Sequence, residues 1–361
     1  MKVLSKHRGF FDFFPPPKFL SMLPAGVAVS DDSVKCIELV ATPSGMRIGR
    51  FGEEIIPSGA ISNGVIQNAA LVEKALSSLQ TKHNLSFVRA SFPEKEAYLL
   101  ERSLPLAPRE SLRETIESQF EEYVPMRRAE SVFDFDVAGV SEKQGIARVQ
   151  VSAASQAFAR TYESVFRNAG MLPLAFEAEE QALARAIVQE GAPGTALVVD
   201  IGKRETTFAI VHEGSVWFTS SFEFGGESIT QALGEALSLP LAKAEQVKCL
   251  YGVVPPSSHK EVAEEILKQL KPIEEKIRQH LSYQETLQNK KMPVERVIMS
   301  GGGSNLPGFA EYLEQSLGIP VTLANPWVNI ISFDEYVPTI PLEEALRYAS
   351  AIGLAMMSAN N

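Results

Sequence analysis

The chain of 361 residues is long enough for two domains, and its 45% hydrophobic and 22% charged residues are typical of globular proteins. A net charge of −10 argues against nucleic acid as the main partner, because a nucleic-acid surface requires basic side chains. The two cysteines, Cys36 and Cys249, form neither a disulfide framework nor a metal motif, which favours a reducing compartment. There is no apolar stretch of transmembrane length and no signal-peptide pattern at the N-terminus, so we expect a cytoplasmic protein.

The first 24 residues predict an irregular arm. Four phenylalanines lie within residues 10–14, and prolines 15–17 follow them. Consecutive prolines prevent the amphipathic helix that a membrane surface would require. We therefore expect the arm to pack on protein, with no direct membrane insertion.

Hydrophobic periodicity predicts the remaining elements in chain order. A first β-meander, 26–57, precedes a helix over 68–82 and a strand over 87–92. The next segment predicts a compact α+β unit, with strands 98–106, 131–138 and 146–153 and helices 109–123 and 155–168. Helix 179–190 leads into a second meander, 196–218. Beyond it we predict helices 227–237, 241–251, 259–289 and 342–357, and strands 296–300 and 321–324.

The two meanders share one pattern of strand, polar turn and strand. They align without a gap when Ala28 is placed opposite Asp200, and each is followed by a hairpin signal, at 43–45 and at 213–214. A duplication at this distance predicts two related lobes with a cleft between their turns. The predicted segments are an arm 1–24, a first lobe 25–97 and 173–195, an inserted subdomain 98–172, a second lobe 196–226 and 293–340, its helical subdomain 227–292, and a C-terminal helix 341–361 returning to the first lobe.

Two polar turns are candidates for binding phosphate. Asp200 ends the apolar run 196–199, and a carboxylate there requires a hydrogen-bonding or cationic partner. Gly202 permits a tight turn whose amides can face a phosphate, with Asp200 beside it for a metal ion. A plain meander with a hydrogen-bonded aspartate is the alternative. The glycine-rich stretch 300–305 lies between a strand and a helix, where a helix N-terminus favours anions.

Several motifs together resemble the actin-like ATPase superfamily, and within it the PilM family of type IV pilus assembly proteins, which is related to FtsA. They are Val-Asp-Ile-Gly at 199–202, Phe-Gly-Gly-Glu-Ser-Ile-Thr at 224–230, Ala-Glu-Gln-Val-Lys-Cys-Leu-Tyr-Gly at 244–252, Ser-Gly-Gly-Gly-Ser-Asn-Leu-Pro-Gly at 300–308, and Gly-Ile-Pro-Val with Ala-Asn-Pro at 318–326. The resemblance covers residues 24–357. It implies an α/β fold, the actin-like ATPase (ribonuclease H-like) two-lobed fold, with an inserted α+β subdomain of the PilM/FtsA type.

The resemblance also implies a site for ATP and magnesium. Asp200 would hold magnesium through water, and Glu179 is a candidate for orienting a water, with a plain surface carboxylate as the alternative. Glu245 and Lys248 would contact ribose, or form a solvated pair on a helix. The remaining implied contacts are Ser30, Ser33 and Lys35 in a first phosphate loop, Gly202, Thr206, Gly225 and Gly226 around the second, and Gly301, Gly302, Gly303 and Asn305 at the adenosine.

Two positions depart from the family pattern. Ala28 stands where the family usually has aspartate, and Lys203 where it usually has a small residue. Lys203 and Arg204 either neutralise phosphate or fill the pocket with charge. Because one of two carboxylates is missing, we expect ATP binding with little hydrolysis.

The implied function is that of a scaffold in type IV pilus assembly, or in related type II secretion, associated with the inner face of the cytoplasmic membrane through its partners. The expected partner is the cytoplasmic N-terminal tail of a PilN-like single-span protein, bound at an exposed strand edge of the inserted unit. Other pilus assembly proteins are further expected partners, and self-association stays open. The alternatives are a nucleotide-free scaffold, an FtsA-like division protein, although no amphipathic tail precedes Asn361, and a sugar-kinase-type enzyme, for which no general base stands out.

Overall fold

The computed structural model describes residues 24–42, 45–254, 259–286, 293–331 and 336–356. The predicted arm, most of the hairpin at 43–45 and the helix end at 287–289 lie outside the described residues. The chain divides into two compact units. Unit 1 comprises the described parts of Met1–Leu183, Ser215–Trp217 and Ser350–Asn361, and unit 2 those of Ala184–Gly214 and Phe218–Ala349.

Unit 1 contains two main sheets and a short hairpin. Its strands are β1 (Ala25–Val29), β2 (Ser33–Thr42), β3 (Gly45–Ile55), β4 (Ile61–Ser62), β5 (Val65–Ile66), β6 (Phe87–Phe92), β7 (Ala97–Pro105), β8 (Ser131–Ser141), β9 (Ile146–Ser155) and β10 (Leu172–Ala178). Its helices are α1 (Ala69–His83), α2 (Arg109–Tyr123), α3 (Gln156–Asn168) and α4 (Glu179–Ile187), the last of which continues into unit 2. The larger sheet has the order β10-β6-β1-β2-β3, and the inserted unit has the order β7-β9-β8.

Unit 2 is built on one five-stranded sheet with the order β13-β12-β11-β14-β15. The strands are β11 (Thr195–Ile201), β12 (Thr206–His212), β13 (Ser215–Phe222), β14 (Val294–Ser300) and β15 (Val321–Leu323). The helices are α5 (Gly226–Ala236), α6 (Leu241–Tyr251), α7 (Lys260–Thr286), α8 (Phe309–Leu317) and α9 (Leu342–Ala345). The last helix, α10 (Ala349–Met356), belongs to unit 1 from Ser350 onward. The predicted one-sided face of α7 is confirmed, because Val262, Ile266, Leu270, Ile273 and Ile277 are buried in the same core as the strands of this sheet.

The predicted duplication is confirmed residue by residue. β1 pairs antiparallel with β2 and parallel with β6, as β11 does with β12 and β14. Ala28 lies opposite Lys35, and at the corresponding place Asp200 lies opposite Thr207. Because a slip of one residue would move every side chain to the other face of the sheet, the shared register means that both hairpins present equivalent positions.

Three local predictions differ from the structure. Strand β10 was not predicted, since Pro173 interrupts its pattern; proline is tolerated there because β10 is an edge strand. The β4–β5 hairpin was also not predicted. The predicted C-terminal helix over 342–357 is wrong as a single element, because residues 346–348 form a 3-10 turn between α9 and α10. No described helix is long and apolar enough to cross a membrane.

Two glycines permit close packing around α10 in unit 1. A Cβ at Gly26 on β1 would lie 2.0 Å from the carbonyl oxygen of Ala351. A Cβ at Gly353 would lie 1.7 Å from the carbonyl oxygen of Ala182 on α4. Main-chain atoms cannot rotate aside as a side chain can, so α10 can hold this position between β1 and α4 only where both glycines are kept.

We expect Gly26→Ala to lower the free energy of unfolding by about 3 kcal/mol, because the methyl group meets backbone. Gly145→Ala is the control, since nothing lies within 4 Å of the added Cβ and only the left-handed φ of 65° is strained. That strain costs about 1 kcal/mol. Urea unfolding followed by circular dichroism measures both, and equal losses would contradict the packing argument.

Candidate functional site

Asp200 lies at the end of β11, half-buried, between two neighbouring strands. It is opposite Thr207 on β12 and Ser300 on β14. Ser300 is fully buried, and its hydroxyl has no hydrogen-bond partner among the described residues. Ser91, the next-to-last residue of β6, follows the Val27–Ala90 pair in the equivalent place of unit 1. It is also fully buried, with a hydroxyl that lacks a partner in this part of the chain. Near the end of the strand that pairs in parallel with β1 or β11, each sheet therefore has a serine whose hydroxyl is unsatisfied among the described residues.

Main-chain hydrogen bonds join the turn after Asp200 to the start of α5. The amide of Gly202 donates to the carbonyl of Glu205 at 2.9 Å, and the amide of Gly226 donates to the carbonyl of Gly202 at 3.1 Å. The buried Thr206 hydroxyl donates to the Phe224 carbonyl at 2.7 Å. A Cβ at Gly225 would lie 2.5 Å from the Lys203 carbonyl oxygen, so the glycine permits this contact. The loop is thus held in one shape by its own polar groups.

Lys203 and Arg204 both contact the first turn of α5. The Lys203 amine lies 3.8 Å from the Glu227 carboxylate, and the Arg204 Nε lies 3.1 Å from it. Both side chains remain partly exposed. Both cations are therefore paired with the carboxylate at the start of α5.

Lys248 is buried and joins α6 to α5. Its amine donates to the Gly226 carbonyl at 2.9 Å, to the Thr230 hydroxyl at 2.8 Å and to the Glu245 carboxylate at 2.7 Å. Thr230 also hydrogen-bonds to Glu245. Burial disfavours the charge on Glu245, but the hydrogen bonds from Lys248 and Thr230 outweigh it and lower the pKa of the carboxyl. The alternative of a solvated helix pair is wrong for Lys248, because all three amine protons have partners inside the protein.

The glycine-rich stretch closes over the end of β11. Gly301 has a φ of 80°, and a Cβ there would lie 2.4 Å from the Ile201 carbonyl oxygen. A Cβ at Gly303 would meet the Ile201 side chain at 2.4 Å, and one at Gly302 would lie 3.3 Å from the side chain of Arg347. Asn305 donates through Nδ2 to the Glu343 carbonyl at 2.7 Å, whereas its buried Oδ1 has no partner among the residues described.

The first loop is closed by its own side chains. The Ser30 amide and hydroxyl donate to the Ser33 carbonyl at 2.9 and 3.1 Å, and the Ser33 amide donates to the Ser30 hydroxyl at 3.2 Å. The Lys35 amine donates to the Ser33 hydroxyl at 2.7 Å and lies 3.3 Å from the Glu53 carboxylate. The three predicted residues therefore form one compact group beside Ala28.

Glu179 is the first residue of α4 and lies near the buried Tyr162. Burial raises the pKa of the Tyr162 hydroxyl, and the negative charges of Asp31, Glu179 and Glu96 add to the effect. The carboxylate of Glu179 therefore belongs to an acidic group around one tyrosine.

Within unit 2 the predicted residues form one connected group. Gly226 bonds to Gly202 on one side and to Lys248 on the other, and Gly301 and Gly303 pack on Ile201, next to Asp200. No group of three or more His, Cys, Asp or Glu side chains is placed to hold a metal ion in the described ranges. Asp200 is the carboxylate next to this connected group.

A second candidate site is a small apolar cavity of about 10 Å³ in the inserted unit, with room for about one water molecule. Arg102 on β7 stacks over the Tyr123 ring at 4.1 Å, and its Nε is buried with no partner in the described part of the chain. Tyr123 donates its hydroxyl proton to Gln119 at 2.8 Å. The cavity thus combines apolar walls with an arginine donor. The lining residues are Leu100, Arg102, Leu104, Ile116, Gln119, Phe120, Tyr123, Val124 and Val151.

Comparison with known proteins gives the family. The profile described as type IV pilus assembly protein PilM matches residues 26–359. In the PilM–PilN type IV pilus biogenesis complex, one chain superposes with a TM-score of 0.75 at 22% identity, covering 93% of this chain and 98% of that one. MreB5 of Spiroplasma citri bound to ADP superposes with a TM-score of 0.53 at 12% identity, covering 84% and 93%.

Curated relatives include the cell division protein FtsA of Enterococcus hirae. It is 27% identical over 197 residues, which are 47% of this chain and 44% of the relative, so the match spans less than half the length of FtsA. The duplicated sheets and these neighbours define an actin-like ATPase fold. The chain belongs to the type IV pilus assembly protein PilM family, since that profile matches nearly its whole length.

We expect Lys248→Met to lower the free energy of unfolding by about 2 kcal/mol, because it removes the three hydrogen bonds of the buried amine and leaves Glu245 without its cation. Lys243→Met on the exposed side of α6 is the matched control and should change stability by less than about 0.5 kcal/mol. Urea unfolding measures both variants. Equal stability of the two would mean that Lys248 is held no more tightly than a surface lysine.

Proposed function

We propose that this chain is a scaffold of type IV pilus assembly, or of related type II secretion, that binds ATP with magnesium and hydrolyses it slowly or not at all. The observation that carries the proposal is the shared register of the two hairpins. It makes Ala28 the counterpart of Asp200, so one unit offers a carboxylate where the other offers a methyl group. Membership of the PilM family and an ADP-bound neighbour of the same fold support it.

The residues around Asp200 fit a hydrated magnesium ion. Magnesium keeps several waters and needs only one or two carboxylates, which Asp200 supplies. The unsatisfied hydroxyl of Ser300 beside it can accept or donate one more hydrogen bond. When bound, the ion would neutralise charge on the nucleotide phosphates. Asp200 would hold the waters of the ion, and the Asn305 Oδ1 offers an acceptor at the glycine-rich stretch.

The other proposed contacts with nucleotide come from the two loops. In unit 2 these are Gly202, Thr206, Gly225, Gly226, Glu245 and Lys248, with Gly301, Gly302 and Gly303. In unit 1 they are Ser30, Ser33 and Lys35. Because most of these polar groups already bond to one another, their part is to fix the loops in shape before ligand arrives. Glu179 is proposed as the residue that orients water, should any hydrolysis occur.

We expect Asp200→Ala to weaken magnesium-dependent ATP binding by about tenfold or more, the loss of one charge-assisted contact. Ala28→Asp restores the second carboxylate and should raise phosphate release above the level of the natural chain. Isothermal titration with and without magnesium measures binding, and phosphate release measures turnover. Turnover of about one per second or faster that disappears in Asp200→Ala would favour the enzyme class instead. Absence of binding would favour a nucleotide-free scaffold.

We further propose that the inserted unit binds the cytoplasmic N-terminal tail of a PilN-like single-span protein as an extended peptide. Leu100, Arg102 and Leu104 alternate along the edge strand β7 and share the face that lines the cavity. An added strand would pair with the backbone of β7, apolar side chains of the peptide would pack beside it, and Arg102 would donate to a carbonyl or carboxylate of the peptide. The solved complex of a PilM chain with PilN supports this partner.

We expect Arg102→Gln to weaken binding of synthetic tail peptides by about tenfold or more, because a buried charged donor is lost. Arg127→Gln is the matched control, since the Arg127 side chain is 79% exposed and pairs with Glu130 on the surface. Fluorescence anisotropy with the tail of the neighbouring pilus protein measures both. Failure of every tail to bind below about 1 mM, with a folded periplasmic partner binding instead, would reject the peptide proposal.

A further inference from the structure

The β4–β5 hairpin of unit 1 has a two-residue turn. Ser62 pairs with Val65, which leaves Asn63 and Gly64 at the turn with φ of 52° and 78°. Positive φ at both central residues is the type I′ hairpin geometry, and Asn-Gly is its preferred sequence. The turn is therefore a fixed feature to which other segments can attach.

Asp31 attaches the first loop to this turn. One carboxylate oxygen accepts the Asn63 amide at 2.8 Å, and the other accepts the Gly64 amide at 2.9 Å. Amides donating to a carboxylate form stronger bonds than neutral pairs, and two of them fix the orientation of the side chain. Asp31 follows Ser30 directly within the loop that Ser30 and Ser33 close. Any shift of the loop backbone therefore moves the carboxylate that holds the turn.

On its other side, the turn contacts both chain connections of the inserted unit. The Lys95 amine donates to the Asn63 side chain at 2.9 Å, and a Cβ at Gly64 would lie 2.7 Å from Pro93. Pro93 and Lys95 lead directly into β7. The Tyr162 hydroxyl donates to the Gly64 carbonyl at 2.7 Å, and Tyr162 lies on α3, which follows β9. The segment before β7 and the helix after β9 thus both contact one turn.

Tyr162 lies in a closely packed aromatic group that can transmit a displacement of the Asn63–Gly64 turn to α3. Tyr162 is only 1% exposed, and its ring lies 5.6 Å from Phe92 and 4.5 Å from Phe158. A closely packed aromatic group moves as a whole, because there is no space for one ring to shift alone. A displacement of the turn is therefore passed to α3 and is not absorbed locally.

We propose that Asp31 is a positioning residue that couples the first loop to the inserted unit, so that nucleotide at the loop changes the affinity for the peptide tail. The proposal rests on the proposed function for its two ligands. Coupling of this kind is reciprocal, so the tail would change nucleotide affinity by the same factor. Asp31 needs no contact with either ligand, since it acts through the Asn63–Gly64 turn.

The coupling is tested on the full chain by titrating the tail peptide without and with saturating magnesium-ATP. The natural chain should show a change in tail affinity of about fivefold or more, the lower range of allosteric coupling. Asp31→Asn should bind each ligand alone within about threefold of the natural chain, a cost of under 1 kcal/mol. The coupling ratio, which is the tail affinity with magnesium-ATP divided by that without it, should fall to between one and two. An unchanged ratio in Asp31→Asn overturns the proposal.

Two further variants separate coupling from folding. Tyr162→Phe removes the bond to Gly64 from the side of the inserted unit while keeping the buried ring, and it should also reduce the ratio. Glu163→Gln removes a carboxylate from the same helix that pairs with Arg167 at the surface, and it should leave the ratio unchanged. Equal ratios in these two variants would contradict the link through the turn.

A measurement without ligands distinguishes failure of this link from failure of the proposed function. In Asp31→Asn, amide exchange should rise about tenfold at Asn63 and Gly64, and also at residues flanking Lys95 and Tyr162, as local opening becomes easier. In Glu163→Gln it should not rise at the turn. If the natural chain binds neither ATP nor the tail, the proposed function fails. The amide-exchange result then tests by itself whether Asp31 is coupled to the inserted unit through the turn. A rise confined to residues 30–33 overturns it.

Discussion

The pairing of each central strand with its neighbours is the constraint on which the rest of this structure depends. β1 and β11 are each held on one side by an antiparallel strand and on the other by a parallel strand. This pairing fixes the register of each strand, and so which residue occupies the next-to-last position before each turn. Ala28 and Asp200 are therefore equivalent because the hydrogen-bond ladders leave them no other register.

The two units share this backbone but differ in the chemistry they present. Opposite Asp200 stands Thr207, whereas opposite Ala28 stands Lys35, whose amine is held by Ser33 and Glu53. One hairpin thus offers a carboxylate and the other a lysine secured by its own loop. A cation favours phosphate but cannot hold a second metal ion, so this difference suits binding more than hydrolysis.

The sequence predicted the elements well where local periodicity decides them. Helices α2 and α6 begin and end where their patterns predict, and strand β6 does so as well. Strand β10 was missed because its pairing with β6 is non-local and Pro173 disguises it. The burial of Lys248 could not be predicted from the periodicity of α6 either, because it depends on contacts with Gly226 and Thr230 on α5. The Asn63–Gly64 turn, in contrast, is local and has the Asn-Gly sequence that favours a two-residue hairpin.

The glycines of the candidate site make room for the protein's own backbone, and this alone does not indicate a ligand. A glycine-rich loop suggests that a ligand approaches the backbone, yet at Gly301 and Gly225 the space is already taken by the carbonyl groups of Ile201 and Lys203. These glycines are explained by the packing of the protein on itself. A ligand is indicated instead by two buried polar atoms that have no partner among the described residues, the Ser300 hydroxyl and the Asn305 Oδ1. Both belong to the strand end and turn next to Asp200, where a hydrated ion and its nucleotide would supply the missing partners.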